Sequence, residues 1–235
     1  MEPILFYGVP QGCSFGSIVA LEWLGRPYRL CRIEMLQQPW PAGYARINPM
    51  FQTPALLTAE GRPLAESLAI LQHLAAQDLG PQGLGHVQGT PGFDRLNEVL
   101  AFLNTDFFAA FGPLWLAYER EDLDDGKKAL LRTLGAEAVR KCFAALDGLL
   151  AGREWLVGER RSVADAYLAG IARWAGYHRL FDLGAEYPNV ARHLGKLHAD
   201  PAVAFADAIE RKAPSTSVGA FRGHVSLDDA LQGLR

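Results

Sequence analysis

From Gly80 to Gly92 the chain reads GPQGLGHVQGTPG, with five glycines and two prolines. Glycine weakens the interior of any helix or strand, and proline removes a backbone donor, so this stretch is a linker. It divides the 235 residues into parts with different periodicities. The boundaries it sets are a first unit over 1–81, a linker over 82–92, a second unit over 93–212 and a tail over 213–235.

Before the linker, strands and helices alternate. Ile4–Tyr7 is a short apolar strand, followed by a Pro/Gly loop and a helical stretch carrying Ile18, Leu21, Trp23 and Leu24, which Gly25 closes. Tyr28–Ile33 reads as a second strand, and 43–51 is irregular. Ala55–Thr58 and Arg62–Leu64 form a hairpin around "AEG", and Ser67–Gln77 is a helix. The order β-α-β then β-β-α implies a small mixed sheet with helices, its first unit long enough for a parallel crossover.

After the linker the spacing becomes helical. Phe93, Leu96, Leu100, Leu103, Phe107, Phe111 and Leu114 recur at three- and four-residue steps, as one face of a long helix. Leu131, Leu134, Ala138, Cys142, Ala145 and Leu149 repeat the pattern. "SVADAYLAGIARW" is apolar nearly all round, which places that helix centrally. No solenoid repeat is visible. The tail from Ala213 is Ser/Gly-rich and offers "SLDDAL" as a short capped turn.

The net charge of −3 gives no basic footprint for nucleic acid and no polybasic patch for a membrane. No uninterrupted apolar run of bilayer length is evident, and the N-terminus lacks signal-peptide character. Three cysteines without a CxxC suit a reducing compartment, so the expected location is cytoplasmic, and no metal spacing appears.

Three stretches carry chemistry. In "PQGCS", Cys13 follows a Pro/Gly loop and precedes a helix, whose N-terminal partial charge is expected to stabilise a thiolate. Ser14 is a second catalytic candidate, or a helix cap. Position 16 is Gly16, so any redox chemistry is monothiol. In "NPMFQTPALL", Pro54 enters a strand; a cis bond there turns the Thr53 backbone outward, whereas a trans bond makes a plain strand entry. In "LAESLAIL", the Ser67 N–H and hydroxyl offer an anion site beside the Glu66 carboxylate, or an ordinary cap. A thiol site, a strand edge and a zwitterion site, in that order, suit a cysteine-containing peptide such as glutathione.

These stretches, with "SVADAYL" at 162–168, resemble the cytosolic glutathione S-transferase superfamily and look most like its bacterial beta class, from about residue 4 to about residue 211. The resemblance implies an α/β thioredoxin-like N-terminal domain, an all-α helical-bundle C-terminal domain and a homodimer engaged in detoxification. It implies that Pro54 is cis, that the Thr53 backbone pairs with the cysteinyl part of glutathione, and that Glu66 and Ser67 hold its γ-glutamyl end. Cys13 then lies by the glutathione sulfur. Ser162 and Asp165 match a capping box with a folding role.

Two departures stand out. The class usually carries a His-Lys pair where this chain has Phe108-Ala109, and it tends to place a glutathione-contacting lysine where this chain has Gln38. Thr105 aligns where a residue of the partner subunit reaches the ligand. Phe108, Phe111, Trp115, Tyr118 and Trp174 are candidates for the wall of an apolar electrophile pocket, although aromatics at helical spacing are often core. The leading expectation is conjugation of the glutathione thiol, as cosubstrate, to a hydrophobic electrophile. The alternatives are thiol–disulfide exchange through a mixed disulfide at Cys13, and non-catalytic binding.

Overall fold

The computed structural model describes residues 1–234. The first unit is built on β1 (Ile4–Tyr7), α1 (Ser14–Leu24), β2 (Tyr28–Arg32), β3 (Ala55–Leu57), β4 (Pro63–Ala65) and α2 (Ser67–Ala75), with a 3₁₀ turn at Ala42–Arg46. β1 pairs parallel with β2 and antiparallel with β3, and β3 pairs antiparallel with β4. The crossover through α1 makes the parallel pair possible, and Gly25, at φ 65°, ends that helix in the left-handed conformation that glycine adopts at little cost.

β1 is buried on both faces. Leu5 and Tyr7 join the core shared with α1, α2 and the second unit, while Ile4 and Phe6 join a smaller core on the opposite face with Tyr44 and Ala230. This alternation is the period-two pattern of a strand sandwiched between layers.

The second unit comprises α3 (Pro91–Ala101), α4 (Phe108–Ala110), α5 (Gly112–Glu119), α6 (Asp125–Leu149), α7 (Val163–Ile171), α8 (Trp174–Tyr177), α9 (Leu183–Glu186), α10 (Pro188–His198) and α11 (Pro201–Glu210). Two expectations are corrected here. The long helix read from Phe93 to Leu114 is interrupted by a π turn at Phe102–Phe107 and bends where Gly112 and Pro113 begin α5. The helical stretch Pro91–Glu119 is also long and apolar enough, by length and composition, to cross a membrane. Here its Leu96, Leu100, Leu103 and Phe107 are buried in the main core.

Every residue of α7 is buried, as its all-round apolar sequence requires. Ser162 and Asp165 form the capping box: the Asp165 carboxylate accepts from the Ser162 N–H at 2.8 Å. α7 packs directly on α1. A Cβ on Gly16 would sit 2.7 Å from the Ala166 carbonyl oxygen, so only glycine admits this approach.

The tail has more structure than its composition suggests. β5 (Phe221–His224) adds to β2 in parallel, giving the strand order β4-β3-β1-β2-β5, and α12 (Leu227–Leu231) covers the second core. The capped turn read in "SLDDAL" is α12, with Ser226 accepting from the Asp229 N–H. β5 occupies the edge that β2 would otherwise expose.

Candidate active site

A cleft of about 890 Å³ lies between the two units. Its floor carries Cys13, Thr53, Pro54, Glu66 and Ser67, and its opposite wall carries Asn104, Thr105, Phe108, Trp115 and Trp174. The Thr53–Pro54 bond is cis. Three residues of the cleft, Gln11, Phe51 and Glu66, are non-glycines in the left-handed region, at φ 58°, 52° and 71°. Such conformations carry a conformational cost and cluster at functional sites. Glu66 in particular makes no side-chain cap on α2, although it sits at the cap position. Its carboxylate is left to the cleft, beside the N-terminal amides of α2.

Cys13 stands at the N-cap of α1. The expected thiolate is not what the surroundings favour. Burial pushes its thiol up to about 11, against the Arg173 guanidinium, which pulls it down; the Glu210 and Glu66 carboxylates push it further up. Desolvation outweighs the helix terminus, so the unliganded protein holds Cys13 as a neutral thiol near pH 7. Tyr167 closes the cleft behind it. The Tyr167 hydroxyl donates to Asn104 Oδ1 at 3.0 Å, and burial raises its pKa, as do the neighbouring Cys13 and Glu66.

The Cys13 loop is held from the second unit. Trp174 Nε1–H donates to the Gln11 carbonyl at 2.7 Å, and Arg173 Nη2–H donates to the Gly12 carbonyl at 3.3 Å. The same Trp174 ring packs 5.4 Å from Phe108 and 5.5 Å, edge-on, from Trp115, centroid to centroid. These three rings form the apolar wall. Phe108 and Ala109 both line it, so carbon takes the place where the resembling class carries a His-Lys pair.

Four expected site residues lie elsewhere. Ser14 is fully buried as the first residue of α1, and its hydroxyl has no partner and does not line the cleft, so Cys13 stands there without it. Gln38 is exposed outside the cleft, in a loop with its own cis bond to Pro39. Phe111 is fully buried behind Trp174, its ring 5.4 Å away, where it backs the wall instead of forming its surface. Tyr118 is 60% exposed, and its hydroxyl accepts from Tyr177 on the outer side of the wall. Thr105 lines the cleft, but its hydroxyl donates to the Ala101 carbonyl within its own helix.

Asn104, Tyr167 and Gln11 were not singled out from sequence. Tyr167 lies within "SVADAYL", whose pattern reads as a folding signal. Asn104 owes its position to the π turn, which no spacing rule announces. Among the described residues no group of three His, Cys, Asp or Glu side chains is placed to hold a metal ion.

Comparison with known proteins bears on the family and the fold. The family model for the glutathione S-transferase N-terminal domain matches residues 13–77, and that for the C-terminal domain matches residues 109–201. A glutathione S-transferase of Xanthomonas campestris is 33% identical over 175 residues, covering 72% of this chain and 81% of its own. A sphingomonad glutathione S-transferase, solved in complex with glutathione, superposes with a TM-score of 0.76 at 34% identity, covering 89% of this chain and all of its own. A bacterial beta class glutathione S-transferase of Sphingomonas chungbukensis does so with a TM-score of 0.75 at 30% identity, covering 88% and 98%. With both halves of the fold matched in order, and the cleft falling between them, this chain belongs to the glutathione S-transferase family.

Proposed function

We propose that the protein binds glutathione in the cleft and conjugates its thiol to a hydrophobic electrophile. The observation that carries the reading is the layout of the cleft. A carboxylate and helix-terminal amides at Glu66-Ser67, a strand entry at Thr53-Pro54 and a thiol at Cys13 run along one floor, opposite a wall of Phe108, Trp115 and Trp174. The first group matches the ammonium and carboxylate of a γ-glutamyl end, the second a peptide backbone, the third a sulfur.

The bound glutathione thiol gives up its proton to solvent. Its sulfur is held by the neutral Cys13 S–H and by the amides at the start of α1. The sulfur–carbon bond forms as the bond to the leaving group breaks. The aromatic wall binds an apolar ring and excludes water from the reacting atoms. The electrophile's class is apolar and aromatic, because the wall offers ring faces and edges and the basic pair is absent.

Beta-class membership is supported by the likeness to the Sphingomonas chungbukensis enzyme, and detoxification of apolar electrophiles is the role that goes with it. A homodimer in the cytoplasm fits the exposed Leu130 and Leu134, four residues apart on α6, and the three free cysteines. The domains are proposed as 1–81 and 93–212 about the 82–92 linker, with 213–235 as a tail whose β5 pairs with β2 of the first.

One variant separates this reading from thiol–disulfide exchange. Cys13→Ser is assayed with glutathione and an activated aryl chloride, and again with a glutathione mixed disulfide. Conjugation retained within about tenfold supports the transferase. Abolished reductase activity, exceeding the conjugating activity in the unaltered protein, assigns the exchange reaction instead.

A further inference from the structure

Arg173 lies between α7 and α8, across the junction from the Cys13 loop. Its guanidinium is fully engaged. Nη1 and Nη2 donate to the two carboxylate oxygens of Glu210, at 2.6 and 2.9 Å. Nη2 also donates to the Gly12 carbonyl at 3.3 Å, and Nε to the Gly170 carbonyl at 2.8 Å. The guanidinium carbon sits 4.0 Å from the centroid of the Phe15 ring. Gly12 precedes Cys13 and Phe15 follows it by two residues, so one cation grips the chain on both sides of the sulfur.

The pair is nearly out of water, with the Arg173 side chain 14% and that of Glu210 5% exposed. A buried ion pair recovers little net stability over apolar residues of the same size. Packing on Phe15 alone is therefore better served by Leu or Met. What the pair supplies in addition is a rigid fork of donors and a charge. The charged and titratable groups acting around Cys13 are Arg173 and Glu210 from the second unit, Glu66 from the start of α2, and Tyr167 from α7. Arg173 is the one cation in that set.

We propose that Arg173 is a positioning residue for Cys13: it fixes the Gln11–Cys13 backbone through the Gly12 carbonyl and supplies the positive field at the sulfur, while Glu210 orients it and offsets that field. The inference deepens the glutathione reading, since the sulfur it tunes is the one placed beside glutathione there. The property it concerns nevertheless belongs to the unliganded protein.

Site-resolved alkylation of Cys13 by iodoacetamide, followed by mass spectrometry across pH, tests it without glutathione. The midpoint of the profile reports the thiol independently of its accessibility. Glu210→Gln keeps a hydrogen-bonding partner and removes the opposing charge, and lowers the midpoint by about one pH unit, a tenfold change in the thiol's ionisation. Arg173→Met raises the midpoint by a similar amount. Arg173→Lys keeps the charge and holds the midpoint near that of the unaltered protein. Opposite shifts support the proposal; shifts in one direction, no shift, or a lysine variant that behaves as the methionine variant overturn it. Should Arg173→Met fail to fold by circular dichroism, Glu210→Gln decides alone: a fall supports the proposal, and an unchanged or raised midpoint overturns it. Failure of the protein to bind glutathione in calorimetry leaves this result standing and removes only the reading it deepens.

Discussion

The indole of Trp174 donates to the carbonyl of Gln11 at 2.7 Å, while the same ring forms part of the apolar wall. The second unit thus holds the loop that carries the thiol with a side chain that also lines the cleft. Trp174→Phe keeps an aromatic ring and loses the hydrogen bond. One such bond contributes about 1 kcal/mol, so kcat/KM for an aryl electrophile falls about fivefold. Steady-state kinetics at saturating glutathione checks this. An unchanged kcat/KM would mean that the loop is held adequately without the indole.

Glu66 is a carboxylate in the left-handed region beside the first amides of α2, and it caps nothing. Its role in the proposed site is to pair with the ammonium of glutathione. Glu66→Gln is expected to raise the KM for glutathione by about tenfold or more, with kcat changed far less, because the contact is made equally in the ground and transition states. Measuring kcat and KM separately against glutathione distinguishes this from a loss of catalytic power.

The pH dependence of Cys13 follows from its burial. Its thiol is pushed up to about 11, above the ordinary value of 9.0. A raised pKa favours the protonated form, so alkylation of the unliganded protein by iodoacetamide is slow at pH 7 and accelerates about tenfold per pH unit toward 11. The linked stability has the same sign. The contribution of the thiol is fully present below pH 9 and is lost as pH rises through 11. A plateau in the alkylation rate near neutral pH would show that the sulfur is already a thiolate.

Glu22 fastens the tail. Its buried carboxylate accepts from the Tyr28 hydroxyl at 2.6 Å, the Ser217 hydroxyl at 2.7 Å, and the Val218 and Gly219 amides at 2.7 and 2.8 Å. Glu22→Ala leaves these donors without their acceptor and is expected to destabilise the fold by about 3 kcal/mol, with limited proteolysis cutting first after Lys212. Thermal denaturation and mass mapping of the fragments check both. The cleft is not lined by Glu22, so kcat measured well below the melting temperature is expected to stay within about twofold.

Much of this was legible from sequence, for physical reasons. The strand-helix alternation of the first unit and the helical spacing of the second reflect local periodicity, and the strands and helices of the first unit appear close to their read bounds, whereas the long helix read from Phe93 to Leu114 does not. The cis Thr53–Pro54 bond and the capping box at Ser162 came from the family resemblance, whose motifs are local. What was not legible depends on neighbours distant in sequence. Ser14 and Cys13 are adjacent, yet the first turn of α1 buries the Ser14 hydroxyl away from the cleft and leaves the Cys13 side chain in it. Phe111 and Phe108 share a helical face at three residues' separation, but the bend before α5 sets one behind Trp174 and the other before it. The raised thiol pKa of Cys13 sums desolvation over both units, which a helix-terminus argument omits. β5 escaped notice because its partner strand lies nearly two hundred residues earlier, and FRGH alternates too briefly to read as a strand.

The central claim is that one cleft seats glutathione with its sulfur at Cys13 and its γ-glutamyl end at Glu66-Ser67. A crystal structure of the protein with glutathione tests it most directly. The account predicts the thiol sulfur in contact with Cys13 Sγ without a covalent bond, the ammonium on Glu66, the adjacent carboxylate on the Ser67 N–H, and the cysteinyl backbone along Thr53. A disulfide between the two sulfurs would move the chemistry to exchange at Cys13, and glutathione bound away from this floor, or not bound at all, would contradict the account.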